Sequence, residues 1–393
     1  MPDASLRHTN RRPVSPSLVV RHTAPQHRAS RPLSPSLVNP DTPPPKRPCR
    51  GSLEAAFKLP PKREDVIFLN RPPVAPTSAP GKKFVVDLFC GIGGWSEGAK
   101  QAGHTIALAI DCNQKLLTCH MDNHPTARHV LMNLGPETED SLIEQIREAV
   151  PHGQSLHIHG SPPCTKLSTM QGAARERGGR CYDLDTEEGM RLVTWYLKLV
   201  VRLRPDSWSF EQVPMPEICG ALRIMKALYP SLVDFCKRIN FKNYGLGQHR
   251  VRSIAGTPSM IHSLRHDNSL RTDPPSIAEA LTPPPGATLV HSSAGTIVDP
   301  QRTIRHEDGS YTNDTMFHKC YRPLTNVAFT CLAGNPQRWS KEDFTIIRRF
   351  TPRECATIQS FPHAFKLPSP SVLAYIGVGN AVPPLFARKF MSA

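Results

Sequence analysis

The chain has 393 residues, 39% hydrophobic and 21% charged, and its 48 Lys and Arg outnumber 33 Asp and Glu for a net +15, which favours a polyanionic partner. No apolar run approaches the roughly 18 residues that a membrane span needs, and Met1 to Arg12 lack the apolar stretch of a secretion signal. The eleven cysteines form no C-x-x-C pair, which argues against a disulfide or zinc-ribbon scaffold and for a reducing compartment.

Residues 1–80 hold 17 of the 41 prolines and, with 13 Lys and Arg against 5 Asp and Glu, +8 of the net charge. Proline at this density keeps a chain extended and solvated, so residues 1–80 read as a disordered basic tail. One octapeptide, Arg12 to Val19, recurs as Arg31 to Val38. It is a short docking motif, a pair of phosphorylatable Ser-Pro sites at Ser15 and Ser34, or a drifting linker. Lys46, Arg47 and Arg50 form a basic cluster that suits a nuclear address.

From Phe84 onward short apolar runs alternate with helical periods. Phe84 to Phe89 reads as a buried strand, followed by a glycine-rich turn and a helix over Trp95 to Ala102. Ile106 to Ile110 is a second strand, ending in Asp111, and Asn113 to Met121 a helix. His129 to Met132 is a weak third strand, and Leu142 to Val150 lies in a helix. Leu156 to His159 is a fourth strand. Asp185 and Glu188 suggest a capping box for a helix reaching Arg204. Trp208 to Phe210 is a fifth strand, ending at Glu211. This alternation implies a parallel sheet with helices on both faces and ligands beyond the strands' carboxyl ends.

Three clusters stand at those ends. Cys90 to Gly94 lets backbone approach a ligand at a helix start, and Asp111, 20 residues after Gly91, suits the two hydroxyls of a ribose. An ordinary tight turn is the alternative. Pro162 and Pro163 stiffen the backbone before Cys164, a thiol placed to act as a nucleophile. A polar stretch from Thr165 to Asp183, with three arginines, reads as a lid over a phosphate backbone or as a plain loop. Glu211 faces the same cleft, and Arg250 and Arg252, two apart, share one strand face.

Together these residues resemble the DNA (cytosine-5) methyltransferases over nearly all of residues 84–393. The matches run in the family's order: Asp87 to Gly94, Pro162-Pro163-Cys164, Glu211-Gln212-Val213, Gln248 with Arg250 and Arg252, Thr351 to Glu354 with Gln359 and Phe361-Pro362, and Gly379 to Pro383. The resemblance implies a Rossmann-like α/β sheet that binds S-adenosylmethionine, with a second, smaller and irregular target-recognition domain. Residues 81–256 would be the catalytic domain, 257–350 the recognition domain, and 351–393 a return to the first. The cofactor would lie against Asp87, Phe89, Cys90, Gly91, Gly93, Gly94, Asp111, Asn133, Asn380, Ala381 and Val382, with no metal. Cys164 would add to C6 of a flipped-out cytosine, Glu211 would hold N3 and the exocyclic amine, Arg252 the O2 edge, and Arg250 would support the site. The sequence departs from the family at Gln212, where Asn is usual, and at Asn133, Leu156 and Thr165. The resemblance further implies a monomer acting on double-stranded DNA inside the cell, in the nucleus if the source is eukaryotic or viral, with possible docking through the tail. An RNA cytosine-5 methyltransferase and an inactive DNA-binding relative are the alternatives.

Overall fold

The computed structural model describes residue 57 and residues 81–163, 184–292, 303–313 and 319–393, with residues 184–189, 303, 313 and 319 described by backbone alone. The chain divides into two units, Met1–Arg47 and Pro48–Ala393, and every described residue lies in the second.

Strand β1 (Phe84–Leu88) leads into helix α1 (Gly94–Gln101), β2 (Thr105–Asp111) into α2 (Gln114–Asn123), and β3 (Arg128–Leu131) into α3 (Glu139–Ala149). Then follow β4 (Leu156–Gly160), α4 (Leu184–Leu203), β5 (Ser207–Gln212) and α5 (Pro216–Leu228). Strands β6 (Asp234–Asn240) and β7 (Val251–Gly256) complete a seven-stranded sheet of order β3-β2-β1-β4-β5-β7-β6. Its first five strands are parallel, and β7 runs antiparallel to both β5 and β6. Every element read from the apolar pattern before residue 212 is present. Helix α4 already contains Asp185, so that residue lies inside the helix and does not cap it.

The two faces of the sheet differ. Val86, Leu88, Leu108, Ile110, Leu156, Ile158, Trp208 and Phe210 pack against the face covered by α3, α4 and α5. On the opposite face, Trp95 of α1 stacks on His159, ring centroids 3.7 Å apart and almost coplanar. There His157 bridges Ser207 and Ser209 at 2.8 and 2.9 Å, and His159 reaches Ser209 at 2.8 Å. Burial pushes both imidazoles well below their usual range, so they are neutral at pH 7. This polar ladder joins β4 to β5 through side chains as well as backbone.

After β7 come α6 (Pro258–His266), α7 (Ile277–Ala280), β8 (Leu289–His291), β9 (Thr303–Arg305), β10 (Tyr311–Asn313), β11 (Lys319–Pro323), β12 (Arg338–Ser340) and β13 (Ile346–Arg349). The second, smaller part of the fold carries a sheet of its own. The six strands form an antiparallel sheet of order β13-β12-β8-β11-β10-β9. Met260, Ile261 and Leu264 of α6 pack with Phe241, Phe386 and Phe390 of the large unit, so the second sheet begins well after residue 257. Helices α8 (Pro352–Ile358), α9 (Ser371–Asn380) and α10 (Pro384–Met391) close the chain. Among the described residues, no helix is long and apolar enough to cross a membrane.

One residue of the stretch expected to be tail belongs to this core. Phe57 is 1% exposed and sits in the cluster that holds Trp208 and Phe210. Its carbonyl accepts a 3.1 Å hydrogen bond from the Tyr229 hydroxyl just after α5. The folded unit therefore draws on chain before residue 81. Truncating a buried phenylalanine to alanine costs about 3–5 kcal/mol. Phe57→Ala should lower the urea midpoint accordingly, with an unchanged denaturant slope. An unmoved midpoint would show that this ring contributes nothing to the core.

Candidate active site

The loop between β1 and α1 is built from unusual backbone. Gly91 and Gly93 have φ of 54° and 98°, and Phe89, a non-glycine residue, stands at φ 60°. Such a conformation in a bulky residue is strained and is held by its surroundings. Cys90 N–H donates to Ile110 O at 3.0 Å, and Gly91 N–H donates to the Asp111 carboxylate at 2.9 Å. The other Asp111 oxygen accepts from Asn113 N–H at 2.8 Å. Two backbone amides thus hold that carboxylate at the end of β2, with acceptor capacity left on both oxygens. The Phe89 ring meets Trp195 of α4 edge-on, centroids 6.3 Å apart. Trp195 is itself fixed by a 2.8 Å bond from its indole N–H to Glu139, which also pairs with Arg202.

A glycine is required at two places where α1 meets the end of the chain. A Cβ on Gly94 would fall 2.2 Å from Val382 O, and one on Gly98 would fall 2.3 Å from Pro384 O. The segment from Gly379 to Pro384 therefore lies directly on the start of α1. Val382 is buried there, whereas Asn380 is exposed at the end of α9. Asn133 is exposed after β3, and its carbonyl accepts from Thr138 Oγ1. An acidic acceptor pair, a glycine loop and an aromatic ring at one edge of the sheet fit a nucleoside sulfonium cofactor. Asp87 and Cys90, expected to line this site, are buried behind the loop.

Asp87 accepts a 2.6 Å bond from Ser96 Oγ in the first turn of α1. Ser96 also lies 3.0 Å from His120 Nε2, and His120 Nδ1 lies 2.8 Å from His129 Nε2. With Asp87 ionised, Ser96 must donate to it, so His120 donates from Nε2 and accepts from His129. Burial pushes His120 well below the usual imidazole range, consistent with a neutral ring in this chain. Sequence reasoning missed Trp195, which meets the Phe89 ring, Ser96, and His120, whose ring packs against Gly93.

The candidate catalytic charges meet at the junction of β5 and β7. Glu211 is 6% exposed and pairs in register with Ile254. Arg252 Nε lies 2.9 Å from Glu211 Oε1, and Arg250 Nη2 lies 3.8 Å from the same atom. Arg250, 1% exposed, also donates to Gly379 O and Ala381 O at 3.1 and 3.0 Å. It therefore backs Glu211 while Arg252 flanks it. Gln248 donates to Ile358 O at 3.2 Å and accepts from Cys331 N–H at 2.8 Å, tying the segments around residues 331 and 358 to this junction. The Thr351-Pro352-Arg353-Glu354 string is a capping box on α8, whose Arg353 donates to Pro362 O and Phe365 O. Pro162 and Pro163 follow β4 beside this group. Cys164 and the basic stretch to Asp183 lie outside the described residues.

Asp87 carries a testable consequence. Burial raises its carboxyl from 3.8 to about 7, Ser96 opposing the shift and Asp111 adding to it. The folded chain thus holds this proton more tightly than the unfolded one. The stability so gained is complete below the unfolded value and is lost as pH rises through about 7. Asp87→Asn removes the titration and keeps an acceptor for Ser96. The melting temperature of Asp87→Asn minus that of wild type should therefore be larger at pH 8 than at pH 5. A difference that is flat with pH would contradict a perturbed Asp87.

A family model described as C-5 cytosine-specific DNA methylase matches residues 84–393. The Type II methyltransferase M.AgeI of Thalassovita gelatinovora is 35% identical over 226 residues, which cover 50% of this chain and 48% of that enzyme, so the chain spans about half the length of this relative. The Type II methyltransferase M.MthTI of Methanothermobacter thermautotrophicus is 26% identical over 344 residues, 78% of this chain and 94% of that one. Among solved structures, a mutant of Spodoptera frugiperda DNMT2 superposes with a TM-score of 0.51 at 14% identity, covering 79% of this chain and 99% of that chain. That likeness is one of fold. The family match takes in the glycine loop, Asp111, Glu211, both arginines and the returning C-terminal segment, and the chain belongs to the C-5 cytosine-specific DNA methylases.

Proposed function

We propose that the junction of β4, β5 and β7 is the catalytic centre of a DNA (cytosine-5) methyltransferase, with Cys164 as nucleophile. The observation that carries this reading is Glu211, buried between Arg252 and Arg250 at a strand end next to the two prolines that precede Cys164. Cytosine C5 is a weak nucleophile. Addition of a thiolate to C6 turns the ring into an enamine whose C5 attacks an electrophilic methyl group. S-adenosylmethionine supplies that methyl group. The sulfur–C6 bond forms first, C5 then takes the methyl, and C5 loses its proton as the sulfur–C6 bond breaks.

Each described residue has a task in this scheme. Glu211 faces N3 and the exocyclic amine, where charge develops during addition. Arg252 holds Glu211 from the side and lies within reach of the O2 edge. Arg250 keeps Glu211 in place and links it to the C-terminal segment. Asp111 accepts the ribose hydroxyls, and Phe89 offers a ring face to the adenine. The reacting carbon is out of reach inside a stacked duplex, so double-stranded DNA is bound with the target base turned out. The net positive charge of the chain favours that polyanion.

The covalent step gives the test. Fluorine at C5 cannot leave as a cation, so DNA with 5-fluorocytosine and S-adenosylmethionine should yield a denaturant-stable adduct. Digestion and mass spectrometry should place it on the peptide containing Cys164. Cys164→Ser should give none, and Glu211→Gln should form it about a hundredfold more slowly. An adduct on another cysteine overturns the assignment, and trapping on RNA but not DNA moves the substrate. For the cofactor, Asp111→Ala should raise the S-adenosylmethionine dissociation constant by about tenfold or more, since lost charged hydrogen bonds cost about 1.5–3 kcal/mol. Equal affinities by calorimetry would remove Asp111 from the ribose.

A further inference from the structure

Gln212 stands where the family usually has asparagine, immediately after Glu211. The two neighbours lie on opposite faces of β5, so their side chains do different work. Gln212 is 2% exposed, and both of its polar atoms are engaged. Its Nε2 donates to Pro162 O at 2.8 Å, and its Oε1 accepts from Val213 N–H at 2.8 Å. The first bond crosses from β5 to the segment after β4.

The bond lies where the prolines interrupt the backbone ladder. Strands β4 and β5 pair in parallel from His157 with Ser207 to Gly160 with Phe210. Pro162 and Pro163 have no N–H, so at those two residues the chain has no backbone donor with which to continue the ladder. Each proline keeps a carbonyl acceptor. The Gln212 amide donates from β5 to the Pro162 carbonyl, and its other amide atom is fixed by the next backbone N–H. The side chain is thereby held at both ends, and the Pro162 peptide is registered against the strand that carries Glu211. Asparagine is one methylene shorter, so its amide reaches less far from β5 toward Pro162 O.

We infer that Gln212 is a positioning residue that sets the two-proline segment, and through it the Cys164 thiol, against Glu211. The inference rests on the reading of Cys164 as the nucleophile. It also assigns the departure from asparagine a function in this chain: the longer amide is matched to the distance that it spans.

The test measures the single-turnover rate of adduct formation on 5-fluorocytosine DNA, with dissociation constants for DNA and S-adenosylmethionine and the melting temperature of each variant. Gln212→Asn should slow adduct formation at least tenfold and lower kcat with little change in KM. Gln212→Glu, equal in length but without the amide donor, should slow it at least as much. Both dissociation constants should stay within twofold of wild type. Wild-type rates in both variants overturn the inference. So does a rate loss matched by equal losses of both affinities, which is what a merely structural role predicts. If one variant fails to fold, the other decides by the same criteria. Cys164→Ala is measured alongside. An adduct in Cys164→Ala would sink the nucleophile reading itself, whereas its absence together with wild-type rates in the Gln212 variants sinks only the role of Gln212.

Discussion

A carboxylate taken out of water must be paired or it destabilises the fold by several kcal/mol. Glu211 meets that constraint with two guanidiniums, and much of the structure is arranged around the pairing. Strand β7 runs antiparallel to β5, which brings Arg250 and Arg252 to the end of β5 that a parallel strand would leave to its own carboxyl-terminal loop. Arg250 then carries the network onward to the carbonyls of Gly379 and Ala381. Gln359 donates to Ala381 O as well, at 2.9 Å. That segment rests on Gly94, at the start of the helix that follows the glycine loop. One buried charge thus connects the middle of the sheet, the last helices and the proposed cofactor loop.

The arrangement accounts for residues that are far apart in sequence and individually unremarkable. Gly94 and Gly98 serve contact with residues 381–388, and their lack of a side chain is the whole of their contribution there. The glutamines at 248 and 359 bond backbone carbonyls and amides of other segments. Each is a neutral donor and acceptor in a place where a further charge would need its own partner.

The five parallel strands of the large sheet were legible because they are short runs rich in apolar residues, whereas β6 and the antiparallel course of β7 were not read. Thr105 to Asp111, apolar from Ile106 to Ile110 and ending in a carboxylate, shows this most plainly. The site charges were legible for the same reason, since strand ends face one cleft. The second sheet was not. Its strands are three to five residues long and carry Thr, Arg, Tyr, Asn and Ser, so no period of two has room to develop. The His157–Ser207–Ser209–His159 ladder was hidden too, because polar residues alternating in a strand read as a solvated face. Here that face is buried, and the hydroxyls and imidazoles satisfy one another. Phe57 lay beyond any local signal, since neither it nor Phe68 sits in a periodic apolar pattern in this proline-rich stretch.

The proposed cofactor loop around Phe89 is ordered by contacts within the chain itself. Phe89 is held at a positive φ, and Trp195, fixed in turn by Glu139, packs against its ring edge. Asp111 is fixed by two amides donated from either side of it in sequence, Gly91 and Asn113. The conformational entropy of ordering these groups is therefore spent in folding and not again on binding. It also explains why the C-terminal helices must return to the large unit. Without Val382 on Gly94 and Pro384 on Gly98, the first turn of α1 would have nothing packed against its exposed side. The strained backbone before it would then lose the structure that over-determines it.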